Sequence, residues 1–173
     1  MPILSPVLNK DEIEAIVTGI AENISFDYRS KNLVLIGVLK GAFVFLADLI
    51  RHLTIDVEID FLGAASYGAG TVSSEQVRIT SDITIDVAGK DVLVVEDIVD
   101  TGLTLGFIRD HLAAKAPNSV RICALLDKHE RRQKNTHVDY VGHGVQEGFL
   151  VGYGLDHAER YRQLPAIFHL KSE

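Results

Sequence analysis

Residues 92–105 read VLVVEDIVDTGLTL, and this stretch decides the fold. Its first four residues are apolar, as in a strand that is buried on both faces of a parallel sheet. Two carboxylates follow directly, Glu96 and Asp97, and a third acid, Asp100, precedes a threonine and glycine turn that opens a helix. Ligands of open α/β sheets bind at the carboxyl ends of the strands, so the pattern predicts these acids beside a ligand.

The turn at residues 101–104 is typical of a phosphate cradle. A threonine and glycine loop at a helix N-terminus offers hydroxyls, unpaired amides and the positive end of the helix dipole to an anion. Carboxylates at its edge can hold ribose hydroxyls and magnesium, because Mg²⁺ prefers oxygen ligands and is often shared with phosphates. The pattern indicates a ribose-phosphate site, although a strand end with solvated acids and a capped helix fits the same residues equally well.

Strands and helices alternate along the rest of the chain. Apolar runs predict strands at residues 33–39, 55–61, 91–96 and 120–126, and shorter ones at 139–142, 149–154 and 166–170. Helical spacing predicts a helix that opens the chain after an N-cap at Asn9, and two more at residues 42–53 and 104–115. This order predicts an α/β fold with an open, mostly parallel twisted sheet and helices on both faces.

Composition narrows the class of protein. The chain has 173 residues, 47% hydrophobic and 24% charged, which is enough for one domain with a sizeable core. Its single cysteine, Cys123, lies in an apolar run, which excludes a disulfide framework and favours a reducing compartment. With no signal-peptide pattern and no membrane-spanning run, the sequence predicts a cytoplasmic protein. The net charge of −7 disfavours nucleic acid and acidic membranes as partners, but it allows a small local anion site.

Residues 63–81 form a small, polar and aperiodic segment. It is too long for a simple connection between two elements of a compact domain. We interpret it as either a functional lid or a disordered insertion.

Five blocks of sequence, in order along the chain, resemble one enzyme family. Residues 92–105 resemble the signature with which the type I phosphoribosyltransferases bind phosphoribosyl pyrophosphate (PRPP). The other blocks resemble the hypoxanthine/guanine branch of that family: Leu39-Lys40-Gly41-Ala42 its pyrophosphate loop, Ser66-Tyr67-Gly68 the start of its catalytic lid, Leu126-Asp127-Lys128 its base-reading lysine, and residues 149–156 (FLVGYGLD) its purine-stacking strand. The resemblance extends over nearly the whole chain.

The resemblance implies a reaction and its catalytic residues. The 5-phosphoribosyl group of PRPP would pass to N9 of a 6-oxopurine base, hypoxanthine or guanine, with Mg²⁺ as cofactor and pyrophosphate as product. Asp100 would be the general base that takes the N7 proton of the purine. Ser66 and Tyr67 would close over the site and exclude water from an oxocarbenium-like transition state.

The resemblance also implies a binding role for each matching residue. Substrate-binding roles fall to Lys40, Gly41 and Arg162 for pyrophosphate, Glu96 and Asp97 for the ribose hydroxyls, Thr101, Gly102 and Thr104 for the 5-phosphate, and Lys128, Phe149 and Leu150 for the base. Magnesium would bind at Glu96 and Asp97, and a second ion at Asp156.

The family pattern further implies one domain over residues 1–173. A small hood would be built from the N-terminal residues and about 140–173, and a flexible lid would span about 63–81. Members of the family are commonly dimers or tetramers, so a homo-oligomer is expected.

Two segments depart from the family pattern. Residues 142–148 (GHGVQEG) lack the aromatic, acid and proline of that loop, and their three glycines predict a looser segment. After Lys128, His129 and Glu130 replace a proline and serine. Both changes flank the base pocket, so the choice among hypoxanthine, guanine and xanthine stays open.

A different class of function competes with the enzyme. Some type I relatives keep the fold and bind RNA as regulators of pyrimidine genes. The basic residues that could serve such a role are His129, Arg131, Arg132, Lys134 and His137. The net charge of −7, Asp100 and the purine-type strand all argue against it. A non-enzymatic sugar-phosphate binding module is a third option.

Overall fold

The secondary structure is taken from a computed structural model that describes residues 2–67 and 76–171. The elements in chain order are β1 (Ile3–Leu8), α1 (Lys10–Asp27), β2 (Leu33–Leu39), α2 (Phe43–His52), β3 (Val57–Tyr67), β4 (Gln76–Ser81), β5 (Asp91–Val99), α3 (Leu103–Ala113), β6 (Ser119–Lys128), β7 (Tyr140–Val145), β8 (Phe149–Val151) and β9 (Ile167–Lys171). Within those residues, no helix is long and apolar enough to cross a membrane.

A six-stranded sheet with the order β4-β3-β2-β5-β6-β7 forms the centre of the fold. Its strands pair in parallel, apart from the edge strand β4, which runs antiparallel to β3. Helix α2 connects β2 to β3, and α3 connects β5 to β6, so the chain winds outward in both directions from the β2-β5 pair. The predicted fold class is confirmed, and the ends of β2 and β5 form the topological switch point of the sheet.

Alternate residues of the central strands serve two separate cores. Leu33 and Leu35 pack on the side of α1 and α2, whereas Val34 and Ile36 pack on the side of α3, and all four are buried. Because helices cover both faces, the strand is apolar at every position rather than at every second one. Cys123 belongs to the first core, where burial raises the pKa of its thiol.

A second sheet joins the two ends of the chain. Strands β1, β9 and β8 pair antiparallel in that order. Leu8, Leu150 and Ile167 anchor this sheet in the core beneath α1 and α2. Strand β7 lies in the central sheet, so the terminal sheet begins after it and not at about residue 140 as the sequence predicted.

One prediction from local pattern was wrong, and a second segment is more regular than its sequence indicated. The chain opens with strand β1 and not with α1, because β1 is held by β9, more than 150 residues away, a partner that local periodicity cannot reveal. In the segment at 63–81, β3 continues to Tyr67 and pairs with β4 through a bulge beside Gly63. Small residues on both faces of this ribbon hide its period of two. Residues 68–75, including Gly68 of the predicted lid, lie outside the described residues.

The N-terminus of α1 confirms the predicted cap. The Glu12 backbone N–H donates to Asn9 Oδ1 at 2.8 Å, and the Asn9 N–H donates to Glu12 Oε2 at 2.8 Å, which completes a capping box.

Replacement of this cap should destabilise the protein by a predictable amount. We expect Asn9→Ala to lower the free energy of unfolding by about 1 kcal/mol, because the Glu12 N–H at the helix end loses its acceptor. Thermal unfolding should then shift down by about 2–4 °C. Asn9→Ser keeps a capping oxygen and is the matched control. Equal stability of the alanine and serine variants would show that the box contributes nothing.

Candidate active site

The candidate site lies at the switch point, where the segments after β2 and β8 meet the end of β5. Gly41 follows β2, and a Cβ on it would overlap the Asp97 carboxylate. The carbonyl oxygen of Gly41 lies in turn against Gly154, where a Cβ would also overlap. The Leu39–Lys40 peptide bond is cis. Glycines at 41 and 154 therefore let three segments approach at backbone distance.

Glu96 and Asp97 form an acidic pair at the end of β5. The Asp97 N–H donates to Glu96 Oε1 at 3.0 Å, and the Ile98 N–H donates to Asp97 Oδ1 at 2.7 Å. Glu96 is buried, and burial followed by the nearby Asp97 carboxylate raises its pKa well above the ordinary value. The pair is thus short of positive charge and suits a cation with oxygen ligands.

The phosphate loop follows β5 and leads into α3. Gly102 is the N-cap residue, with a φ of 81°, and it has no side chain that could cap the helix. The Leu103 N–H donates to Thr101 Oγ1 at 3.3 Å. A cavity of about 170 Å³ is lined by residues 96–102, 104 and 105. Amides at an uncapped helix start, facing a small cavity, can bind an anion.

Asp100 presents a carboxylate oxygen without a donor. Its Oδ2 accepts from Arg131 Nη1 at 3.4 Å, while Oδ1 is buried and has no hydrogen-bond partner among the described residues. The backbone carbonyl of Asp100 accepts from Arg132 Nε at 3.0 Å. A buried acceptor left unpaired is costly, so this oxygen is suited to take a proton from a ligand.

Lys40, Asp156 and Arg162, to which the resemblance assigned pyrophosphate and a second magnesium ion, come together on the side of Gly41. Arg162 Nη1 donates to the Gly154 carbonyl at 2.7 Å, and Nη2 lies 3.3 Å from Asp156 Oδ1. Glu159, which was not predicted, lies between the two cations. Its Oε2 is 2.9 Å from Lys40 Nζ, and its Oε1 is 3.4 Å from Arg162 Nη2. A hydrogen bond and the charge from Lys40 lower the pKa of Glu159.

Lys128 and Phe149 lie at the opposite end of the site. Lys128 Nζ donates to the Gly148 carbonyl at 3.1 Å. The Phe149 ring is 52% exposed, and it meets His157 edge to face with ring centroids 5.3 Å apart. Leu150 directs its side chain into the core, but β8 is an edge strand, so its free main-chain edge can contact a ligand.

The two predicted lid residues lie at the end of β3. Ser66 is exposed near the tip of β3, and Tyr67 is the last residue of that strand. Within residues 2–67 and 76–171, no hydrogen bond joins Ser66 to the phosphate loop or to the acidic pair.

Sequence reasoning missed three residues that contact this site. Glu159 lies between Lys40 and Arg162. The only local signal of this contact was its opposite charge three residues before Arg162. Arg132 was assigned to a basic cluster, yet it bonds the backbone of Asp100. Thr136 donates to the Gly102 carbonyl at 3.0 Å, and nothing in its sequence context indicates that role.

Comparisons with known proteins agree with this geometry. Residues 5–158 match the model of the phosphoribosyl transferase domain. The chain is 44% identical over 158 residues to the hypoxanthine phosphoribosyltransferase of Escherichia coli K12, covering 90% of this chain and 89% of that one.

Solved structures match over nearly the whole chain. A hypoxanthine phosphoribosyltransferase from Staphylococcus aureus superposes with a TM-score of 0.93 at 40% identity, covering 96% of this chain and 91% of that one. A hypoxanthine-guanine phosphoribosyltransferase from Bacillus anthracis gives 0.92 at 41% identity, covering 99% and 100%. With the family model matched over most of its length, this chain belongs to the phosphoribosyltransferase family.

Proposed function

We propose that the chain transfers the 5-phosphoribosyl group of PRPP to N9 of hypoxanthine or guanine, as a purine-salvage enzyme that forms IMP or GMP and releases pyrophosphate. One observation carries the proposal: an acidic pair, an uncapped helix start and an unpaired carboxylate converge at the switch point. The names of the relatives support the same reaction.

Asp100 is the proposed general base. In the reaction, N9 of the base forms a bond to C1 of the ribose while the bond from C1 to the pyrophosphate oxygen breaks. The purine must lose its N7 proton, and the unpaired Oδ1 of Asp100 is an acceptor without a competing donor. Arg131 Nη1 lies 3.4 Å from Oδ2, so the other carboxylate oxygen already has a partner and Oδ1 alone is free for the purine.

Magnesium fits the donor set of this site. Glu96, Asp97 and Asp156 provide carboxylate oxygens, and the raised pKa of Glu96 shows that its charge lacks compensation. When bound, Mg²⁺ would neutralise charge that develops on the departing pyrophosphate. Glu96 and Asp97 would also orient the ribose hydroxyls.

The remaining contacts divide between the pyrophosphate and the 5-phosphate of PRPP. Lys40, the Gly41 backbone and Arg162 are proposed to bind pyrophosphate. Thr101, Gly102 and Thr104 are proposed to hold the 5-phosphate at the start of α3.

Lys128 is proposed to donate to O6 of the purine. Phe149 would stack on the ring, and the free edge of Leu150 would meet its polar edge. Ser66 and Tyr67 stay the proposed lid residues.

The basic cluster argues against an RNA-binding regulator. Each of its members pairs with a carboxylate: His129 and Arg132 with Asp127, Arg131 with Asp100, Lys134 with Asp110, and His137 with Asp139. Cations already paired in this way form no open basic stripe for a phosphate backbone.

Two further expectations stay predictions. A homo-oligomer, dimer or tetramer, can be tested by light scattering, and a cytoplasmic location by fractionation of cells. A PRPP-dependent assay of pyrophosphate release separates the enzyme from a binding module.

Removal of the general base should slow chemistry and spare binding. We expect Asp100→Asn to lower the single-turnover rate about 100-fold, the low end of general-base losses, because an amide keeps the shape but cannot take the proton. The affinity for PRPP should stay within about threefold. Asp110→Asn, the same change at an exposed acid of α3, is the matched control. A loss below about threefold would remove Asp100 from this role.

Lys128 should make the enzyme selective for oxopurines. An ammonium has three donors and no acceptor, so it bonds O6 of hypoxanthine but opposes the 6-amino group of adenine. We expect kcat/KM for hypoxanthine or guanine to exceed that for adenine by at least about 1,000-fold. Phe149 adds nothing to this ratio, since stacking is nearly blind to the exocyclic group.

Lys128→Ala should shrink that ratio mainly by damaging the oxopurine reaction. Lys31→Ala, at an exposed position remote from the site, serves as control. If adenine reacted within about tenfold of hypoxanthine in the wild type, the role of Lys128 and the purine assignment would both fail.

A further inference from the structure

Residues 132–136, here called the buttress segment, bond three consecutive carbonyls of the phosphate loop. Arg132 Nε donates to the Asp100 carbonyl at 3.0 Å, and Thr136 Oγ1 donates to the Gly102 carbonyl at 3.0 Å. Between them, the Thr101 carbonyl accepts from the backbone N–H groups of residues 133 and 134, at 2.9 and 3.2 Å. The buttress segment therefore pairs the entire carbonyl side of this loop.

This pairing fixes the direction of the loop amides. In a planar trans peptide, the N–H of one residue points opposite to the C=O of the residue before it. Since the carbonyls of residues 100 and 101 face the buttress segment, the N–H groups of Thr101 and Gly102 point away from it. The cavity beside the loop is lined only by residues from 96 to 105, so it lies on that other side.

Gly102 shows how closely the two segments approach. A Cβ there would lie 2.8 Å from the Lys134 carbonyl oxygen and 3.3 Å from Thr136 Oγ1. A side chain at this position is excluded both by these close contacts and by the φ of 81°. The contact is thus a built interface between backbones.

The guanidinium of Arg132 ties the buttress segment to the central sheet. Its Nη2 donates to Asp127 Oδ1, and Nη1 lies 3.5 Å from the Thr136 carbonyl. Asp127 is buried in β6, directly before Lys128. Only a planar group with several fixed donors can bond Asp127, Asp100 and the buttress backbone together.

We propose that Arg132 and Thr136 are positioning residues for the 5-phosphate of PRPP: they hold the loop carbonyls so that its amides face the phosphate before the substrate arrives. The inference rests on the proposed function for the identity of the phosphate ester. Arg132 also holds Asp100, the proposed base, in a fixed position relative to Lys128 at the end of β6.

Thr136→Val tests the proposal without removing bulk. Valine keeps the shape of the buried threonine, and the Gly102 carbonyl keeps its helix bond from the Gly106 N–H at 3.0 Å, so the variant should fold. We expect the Kd for ribose 5-phosphate, measured by calorimetry, and the KM for PRPP to rise about fivefold, the effect of one lost hydrogen bond. The KM for hypoxanthine should not change. Thr136→Ser retains the hydroxyl and should restore both constants.

Arg132→Lys keeps the positive charge beside Asp127 but loses the planar guanidinium with its several donors. It should therefore have a stronger effect than Thr136→Val. We expect ribose 5-phosphate affinity to fall at least about tenfold and kcat to fall as well. Asn135→Ala, an exposed position in the same segment, is the control. The effect of Arg132→Lys on kcat should largely vanish in an Asp100→Asn background, since both changes act on the same carboxylate.

The outcomes separate this inference from the proposed function. Ribose 5-phosphate affinity that is unchanged in both variants, even with a lower melting temperature, overturns the positioning role. If the variants lose affinity as expected but the wild type shows no PRPP-dependent transfer, the positioning role is supported and the proposed reaction is refuted. A wild type that does not bind ribose 5-phosphate overturns both.

Discussion

The close contact between the Gly41 backbone and the Asp97 carboxylate is the constraint on which the site depends. Strands β2 and β5 run in parallel register from Leu33 opposite Asp91 to Gly37 opposite Val95, so their ends arrive side by side. The missing side chain at Gly41 lets the chain after β2 lie directly on the Asp97 carboxylate. Any Cβ there would push the two segments apart, and the proposed pyrophosphate and ribose contacts would separate with them. One glycine thus sets the distance between the two segments that are proposed to hold PRPP on either side of the bond that breaks.

The acids of this protein fall into two classes according to their partners. Remote from the site they are satisfied: Asp60 accepts backbone N–H groups from Phe61, Thr84 and Ile85, which outweigh burial and lower its pKa. Within the site, Asp97, Asp156 and Glu159 also have partners, but Glu96 has a raised pKa and Asp100 Oδ1 lacks a donor. The same chain can therefore satisfy a carboxylate where only stability matters. Two poorly compensated acids at the end of β5 indicate free energy of folding given up for ligand binding.

The parts of the fold that sequence could predict are those with a local physical signature. Buried strands reveal themselves by continuous apolar runs, and the carboxyl ends of such strands locate Glu96, Asp97 and Asp100 without knowledge of any contact. Strand β1 leaves no such trace, because pairing with the distant β9 stabilises it, and the small residues 63–66 conceal the end of β3. Arg132 and Thr136 were invisible for the same reason. Their partners are the backbone carbonyl oxygens of residues 100 and 102. Since every residue has a backbone carbonyl, no sequence pattern can mark these two.

The three glycines of the segment at 142–148 have different structural roles. Its three glycines predicted a looser loop, yet Gly142 lies in β7, where a Cβ would be 2.5 Å from the Leu125 carbonyl oxygen. Gly148 adopts a φ of 100°, and a side chain there would meet the His169 ring. Only Gly144 has open space around it. Two of the three glycines are thus required by close packing, and the third, Gly144, pairs within β7 opposite Asp127. Because the Gly148 carbonyl accepts from Lys128, the conformation of this segment orients the proposed base reader. Under the role proposed for Lys128, base choice would depend on a backbone geometry as much as on the lysine itself.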